Sequence, residues 1–124
     1  MSKIGPKDSS QELFIRSLVH RMGYRFRLHR KDLPGKPDLV FPKYKKVIFI
    51  NGCFWHGHEE CNKSKLPDSN RQFWEEKIKR NIIKDSENYN KLKDLGWDYF
   101  ILWQCGIKRR NVDNIKESIR SFLE

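Results

Sequence analysis

Residues 51–61, NGCFWHGHEEC, constrain this chain more than any other stretch, because they place two cysteines, two histidines and two large aromatics directly behind an apolar run. With Gly, Asn and Pro continuing to residue 70, the region suits neither helix nor strand. A bound metal can substitute there for a missing core. Cys53, His58 and Cys61 have zinc-ligand chemistry, and their Cys-x4-His-x2-Cys spacing lets three ligands turn onto one tetrahedral ion. Cys105, the remaining cysteine, can close the site from far along the chain. A lone cysteine is more often a small buried hydrophobe, and a lone histidine beside tryptophan a packed residue. The joint use of every cysteine reverses that preference and leaves His56 available for other work. Three cysteines cannot all pair as disulfides and no apolar leader precedes Lys3, so a reduced, cytoplasmic setting is expected. No apolar run is long enough to span a membrane.

A length of 124 residues suits one domain over residues 1–124, with a single core between a sheet and a few helices. The pattern S-x-x-E from Ser9 to Glu12, followed by Leu13, Phe14, Ser17, Leu18 and Met22, predicts a capped helix over residues 10–22. Gly23 ends it. Tyr24, Phe26 and Leu28 alternate with basic residues and predict a strand with one basic side. Residues 32–37 read as a loop, and 38–41 and 46–50 as a hairpin turning at 42–45. A helix over 71–93, with Trp74, Ile78, Ile82, Tyr89 and Leu92 on one stripe, stops at Gly96. Residues 97–103 read as a buried strand with Trp97 and Trp103 in the core, and 112–123 as a last helix. The expected fold is α/β, a mixed central sheet flanked by helices, with the parallel step crossing through the 71–93 helix.

Charge adds a partner. The 26 Lys and Arg against 16 Asp and Glu leave +10, with a pI near 9.7, which points to a polyanion. Cations attract phosphates without reading sequence, whereas aromatics stack on bases or wedge between them. Phe54 and Trp55, between glycine and histidine, are the candidates for wedging. Asp38, in PGKPD at a loop-to-strand junction, is placed to hold a hard cation such as Mg²⁺ against a phosphate. The hairpin brings Asn51 and His56 to the same end of the sheet, and Glu12 can supply another acid.

The segments LPGKPDLVF, VIFINGCFWHGH, FWEEKIKRN and LGWDYFILWQC, in this order across residues 9–105, resemble the very short patch repair (Vsr) DNA mismatch endonucleases of the PD-(D/E)xK nuclease superfamily. That resemblance implies a restriction-endonuclease-like fold with a structural Zn²⁺ on Cys53, His58, Cys61 and Cys105. It implies Asp38 and the backbone carbonyl of Ile50 as Mg²⁺ ligands, His56 as general base, and Glu12 in support of the metal and water network. Phe54, Trp55 and Trp74 match aromatics that wedge beside the mismatched pair. Asn51 stands where type members carry histidine, and the chain begins almost at the first helix, without the full basic arm. The expected activity is Mg²⁺-dependent nicking of double-stranded DNA at T:G mismatches arising from 5-methylcytosine deamination. The enzyme is expected to act as a monomer at the nucleoid, alongside mismatch-repair proteins. The alternatives are a related nuclease with another DNA target and an inactive zinc-stabilised DNA-binding module, for which Asn51 is the best argument.

Overall fold

The computed structural model describes residues 10–28, 30, 32–52 and 68–124. In chain order they form α1 (Ser10–Arg21), β1 (Leu39–Phe41), β2 (Lys46–Asn51), α2 (Arg71–Asp94), β3 (Asp98–Trp103) and α3 (Val112–Leu123). β1 and β2 make the expected antiparallel hairpin, with Leu39 opposite Ile48 and Phe41 opposite Lys46. β3 lies parallel to β2, from Lys46 beside Asp98 to Asn51 beside Trp103. The described residues thus hold an α/β fold with a mixed sheet of order β1-β2-β3, and α2 supplies the crossover that a parallel pair needs.

Side chains alternate across a strand, so each strand feeds two cores. Leu39, Phe41, Ile48 and Leu102 face α1 and α3, where they meet Ile15, Leu18, Val19, Ile115 and Ile119. Val40, Val47 and Phe49 face the other way, toward Leu33 and Leu92. All three β1 residues are buried because both faces are covered. Parity therefore sends Asp38, in step with Val40, and Asn51, in step with Val47 and Phe49, to the α2 side.

The end of α2 fixes the crossover. Gly96, at φ +89°, lets its own N–H reach Lys93 O at 3.0 Å and the Trp97 N–H reach Leu92 O at 2.9 Å. This Schellman closure satisfies the last helical carbonyls and turns the chain into β3. On the same side of the sheet, Arg30 clasps Asp32 through two hydrogen bonds of 2.9 and 2.6 Å and lies 5.9 Å from the Trp97 ring centroid.

Four expectations need correction. Residues 24–28 form no strand: Arg27 and Val40 make one isolated bridge, with bonds of 2.8 and 2.9 Å, because β1 is too short to template more. On α1 the buried stripe is Glu12, Ile15, Leu18 and Val19, and Leu13 is left 51% exposed. Phe14, Leu18 and Met22 of the expected stripe do pack on this core, but Leu13 and Ser17 do not, and Ile15 and Val19 take the centre of the face. On α2, Ile82 is 43% exposed and the stripe passes through Asp85 instead. β3 is half-buried except for Leu102, and Trp97 and Trp103 are half-buried too, because β3 borders the sheet on one side. Ser9 and its proposed capping box lie outside the described residues.

Candidate active site

Asp38 sits one residue before β1, where the loop enters the hairpin. Its backbone N–H donates to Ile48 O at 3.1 Å, and its carboxylate Oδ2 accepts the Ile50 N–H at 2.6 Å. The hairpin thus grips Asp38 by main chain and side chain together. Such a bond to an ionised acceptor orients the carboxylate. The entering loop is constrained as well. Gly35 has φ +80°, and a Cβ there would meet the Phe49 ring at 3.0 Å and Asn88 at 3.3 Å. Pro37, next to Asp38, is fully buried.

A cavity of about 180 Å³ opens beside this carboxylate, lined by Asp38, Lys36 and Asn51 from the hairpin side and by Asp85, Asn88 and Tyr89 from α2. Asn51, the last residue of β2, is buried, and its amide Nδ2 donates to the Tyr89 hydroxyl at 3.1 Å. The Tyr89 ring is held by Tyr99, stacked at 4.5 Å, and by the edge of Phe49 at 5.2 Å. Burial pushes the Tyr89 hydroxyl above the ordinary phenol value; the Asn51 bond pulls it down and the nearby Asp85 carboxylate adds to the rise. Tyr89 therefore stays protonated at neutral pH and can donate a hydrogen bond of its own. Two carboxylates, two amides and a hydroxyl around so small a space, with Lys36 at its edge, form an oxygen-donor set suited to a hard cation.

Asp85, Asn88, Tyr89 and Lys36 were not among the expected site residues. The signal was present on the helix: Ile78, Asn81, Asp85, Asn88 and Leu92 recur at helical spacing and are all at least half-buried, and Tyr89 already stood on the expected stripe. Polar and ionisable residues on a buried stripe mark a site.

The other candidates are distributed as follows. The Ile50 backbone is part of the Asp38 clasp, while its side chain packs on the opposite face. Glu12 is buried on α1 and pairs with Arg16 at 3.9 Å; it does not line the Asp38 cavity. Trp74 is half-buried in the first turn of α2, edge-on to the exposed Phe73 at 5.1 Å. Cys105 is half-buried in a 3-10 turn directly after β3. Cys53, Phe54, Trp55, His56, His58 and Cys61 lie outside the described residues, among which no group of three metal-ligand side chains occurs.

A carboxylate fixed where a hairpin meets a helix, in a strongly basic α/β chain, has the build of an enzyme that works on phosphodiesters. Residues 1–63 match the family model of the DNA mismatch endonuclease Vsr. The chain is 41% identical over 124 residues to the type II nicking enzyme V.XorIIP of Xanthomonas oryzae pv. oryzae, covering all of this chain and 89% of that relative. It is 41% identical over 112 residues to the type II nicking enzyme V.NmeAIP of Neisseria meningitidis, covering 90% and 79%. Against the DNA mismatch endonuclease Vsr of Escherichia coli it is 39% identical over 110 residues, covering 89% and 70%. This chain belongs to the Vsr family of DNA mismatch endonucleases, and it is a DNA endonuclease.

Proposed function

We propose that this endonuclease nicks one strand of double-stranded DNA at T:G mismatches left by deamination of 5-methylcytosine, using Mg²⁺. The observation that carries the reading is the Asp38 carboxylate, locked by the Ile50 N–H in a cavity that also contains Asp85 and Asn51. That donor set fits Mg²⁺ by charge and by oxygen chemistry. When bound, the ion neutralises charge on the scissile phosphate and on the leaving oxygen.

The protein's own groups divide the remaining work. Asp38 and the Ile50 carbonyl hold the cation end of the site, and His56 takes the proton from the attacking water. Tyr89, oriented by Asn51, donates toward phosphate oxygen. Glu12 enters by its family position alone. Phe54, Trp55 and Trp74 wedge at the mismatch, where unstacking costs least. Because α2 must run back from the C-terminal end of β2 to the start of β3, Trp74, about 16 Å of helix before Asp85, extends beyond the sheet in keeping with that role.

Zn²⁺ on Cys53, His58, Cys61 and Cys105 is the structural half of the proposal. Asn51 and Trp103 are register partners on parallel strands, so Gly52 and the turn bearing Cys105 leave the sheet at the same end. This geometry supports Cys105 as the distant ligand. Residues 1–124 make one nuclease domain with a restriction-endonuclease-like fold, acting as a monomer in the cytoplasm and associating with the nucleoid and mismatch-repair proteins. No helix among the described residues is long and apolar enough to cross a membrane.

The test is a nicking assay with Mg²⁺ on matched T:G and T:A duplexes labelled on each strand in turn, with metal analysis of the same preparation. The reading requires cleavage of one strand of the T:G duplex and one zinc per chain. Equal cleavage of both duplexes would indicate another DNA target. Binding without cleavage in any divalent metal would favour the inactive zinc-stabilised module.

A further inference from the structure

The β1–β2 hairpin has a second end. Opposite Asp38, its turn at residues 42–45 and the extended segment after α1 enclose a cleft of about 630 Å³. Arg25, Arg27 and Lys43 line it together with His20, Tyr24 and Tyr44, and no lining residue is acidic. All three cations are exposed, and among the described residues none is ion-paired to a carboxylate.

The walls are nevertheless fixed. The two-way bridge between Arg27 and Val40 ties the extended segment to β1. Tyr24 meets Tyr44 edge-on at 6.0 Å, and the Lys43 ammonium lies 5.6 Å from the Tyr44 ring centroid. Tyr24 donates its hydroxyl proton to the Glu124 carboxylate, which anchors that ring to the end of α3. Three like charges around one cleft repel each other, and an anion seated among them relieves that repulsion. A cleft of this size, with cations flanking tyrosine rings, suits phosphates joined by flat or apolar groups, as in a nucleic acid strand.

We propose that this cleft is a second DNA contact, separate from the catalytic cavity, in which Arg25, Arg27 and Lys43 take backbone phosphates and Tyr44 bears on an adjoining sugar or base. Five residue steps of β2 separate the two ends of the hairpin by about 17 Å. The phosphates held here are therefore distinct from the one that is cut. Such contacts position the duplex without reading its sequence. The identity of the polyanion rests on the chain's being a DNA endonuclease; the mismatch, Mg²⁺ and His56 do not enter.

The test uses the full chain carrying Arg25→Ala and Lys43→Ala, with folding checked by thermal melting. Binding to a 30-base-pair duplex is measured against salt without added Mg²⁺, so that no DNA is cut. Each lost phosphate contact lowers the slope of log K against log salt by ~0.9, so the double variant is expected to be shallower by about 2 and to bind at least about tenfold more weakly at low salt. In the wild type, the ring resonances of Tyr24 and Tyr44 are expected to shift on adding this DNA. An unchanged slope in a folded variant overturns the proposal, as do tyrosine shifts seen with inorganic phosphate but not with DNA. A wild-type protein that binds through this cleft and never nicks would remove the proposed function and leave the cleft standing.

Discussion

Among the described residues, eleven buried apolar side chains from α1, the strands, α3 and the turn before it form a continuous cluster on one face of the sheet. On the other face five of the described residues do, and the helix that covers them presents Asn81, Asp85 and Asn88 in line with Ile78 and Leu92. The first face is built mainly for stability, since each buried apolar side chain there removes surface from water, and Glu12, paired with Arg16, is the buried polar residue that α1 adds to it. The second gives up part of that gain to place two carboxylates, two amides and a hydroxyl around a cavity. A 124-residue chain can do this because β2 is shared: Ile48 secures it from one side while Asn51, three residues on, reaches Tyr89 on the other.

Substitutions can break this division. The largest expected effect is on stability. Ile119→Ala, a fully buried α3 residue, should cost ~2–5 kcal/mol in denaturant unfolding, with the nicking rate per folded molecule retained. A loss of activity larger than the loss of folded protein would mean that the α3 face also shapes the site. Next is Tyr89→Phe, which keeps the ring stack but leaves the buried Asn51 amide without its acceptor. Stability should fall by roughly 1 kcal/mol and nicking by about tenfold. Combining it with Asn51→Ala sharpens the point, because additive effects on nicking would show that the two do not act as a unit.

The smallest effect concerns the rim of the stable face. The hydrogen bond to the Glu124 carboxylate, with some burial, pushes the Tyr24 hydroxyl up to about 12 from 10.0. A raised value favours the neutral phenol in the folded state. Its contribution is therefore present below pH 10 and lost as pH rises through about 12. Ultraviolet titration of Glu124→Gln should show one tyrosine ionising earlier than in the wild type; an unchanged curve would place the cause elsewhere.

The division was only partly legible beforehand. The hairpin and the parallel crossover followed from turn residues and period, and Asp38 from its place at a loop-to-strand junction. On α1 the expected stripe was right in Phe14, Leu18 and Met22 but missed Ile15 and Val19, and Glu12 looked like a cap partner when it belongs to the buried face. On α2, following apolar residues alone led to Ile82 and past Asp85. A functional helix face is the place where apolar periodicity is interrupted, so counting only hydrophobes hides it. The basic cleft was visible as charge between residues 21 and 46, but its walls depend on the contact of Tyr24 with Tyr44, and no spacing rule joins those residues. Residues 53–67, which hold His56 and most of the proposed zinc ligands, contribute by sequence alone.

The account depends most on Asp38. The decisive measurement is the single-turnover nicking rate of Asp38→Asn beside the wild type, on the same T:G duplex with Mg²⁺. The amide keeps the shape of the carboxylate and can still accept the Ile50 N–H, but it lacks the negative charge that draws a hard cation. The predicted result is a fall of at least about 10³-fold, several kcal/mol of barrier, with melting and DNA affinity little changed. A folded Asp38→Asn protein that nicks within a few-fold of the wild type would contradict the assignment of the α2 face as the catalytic one.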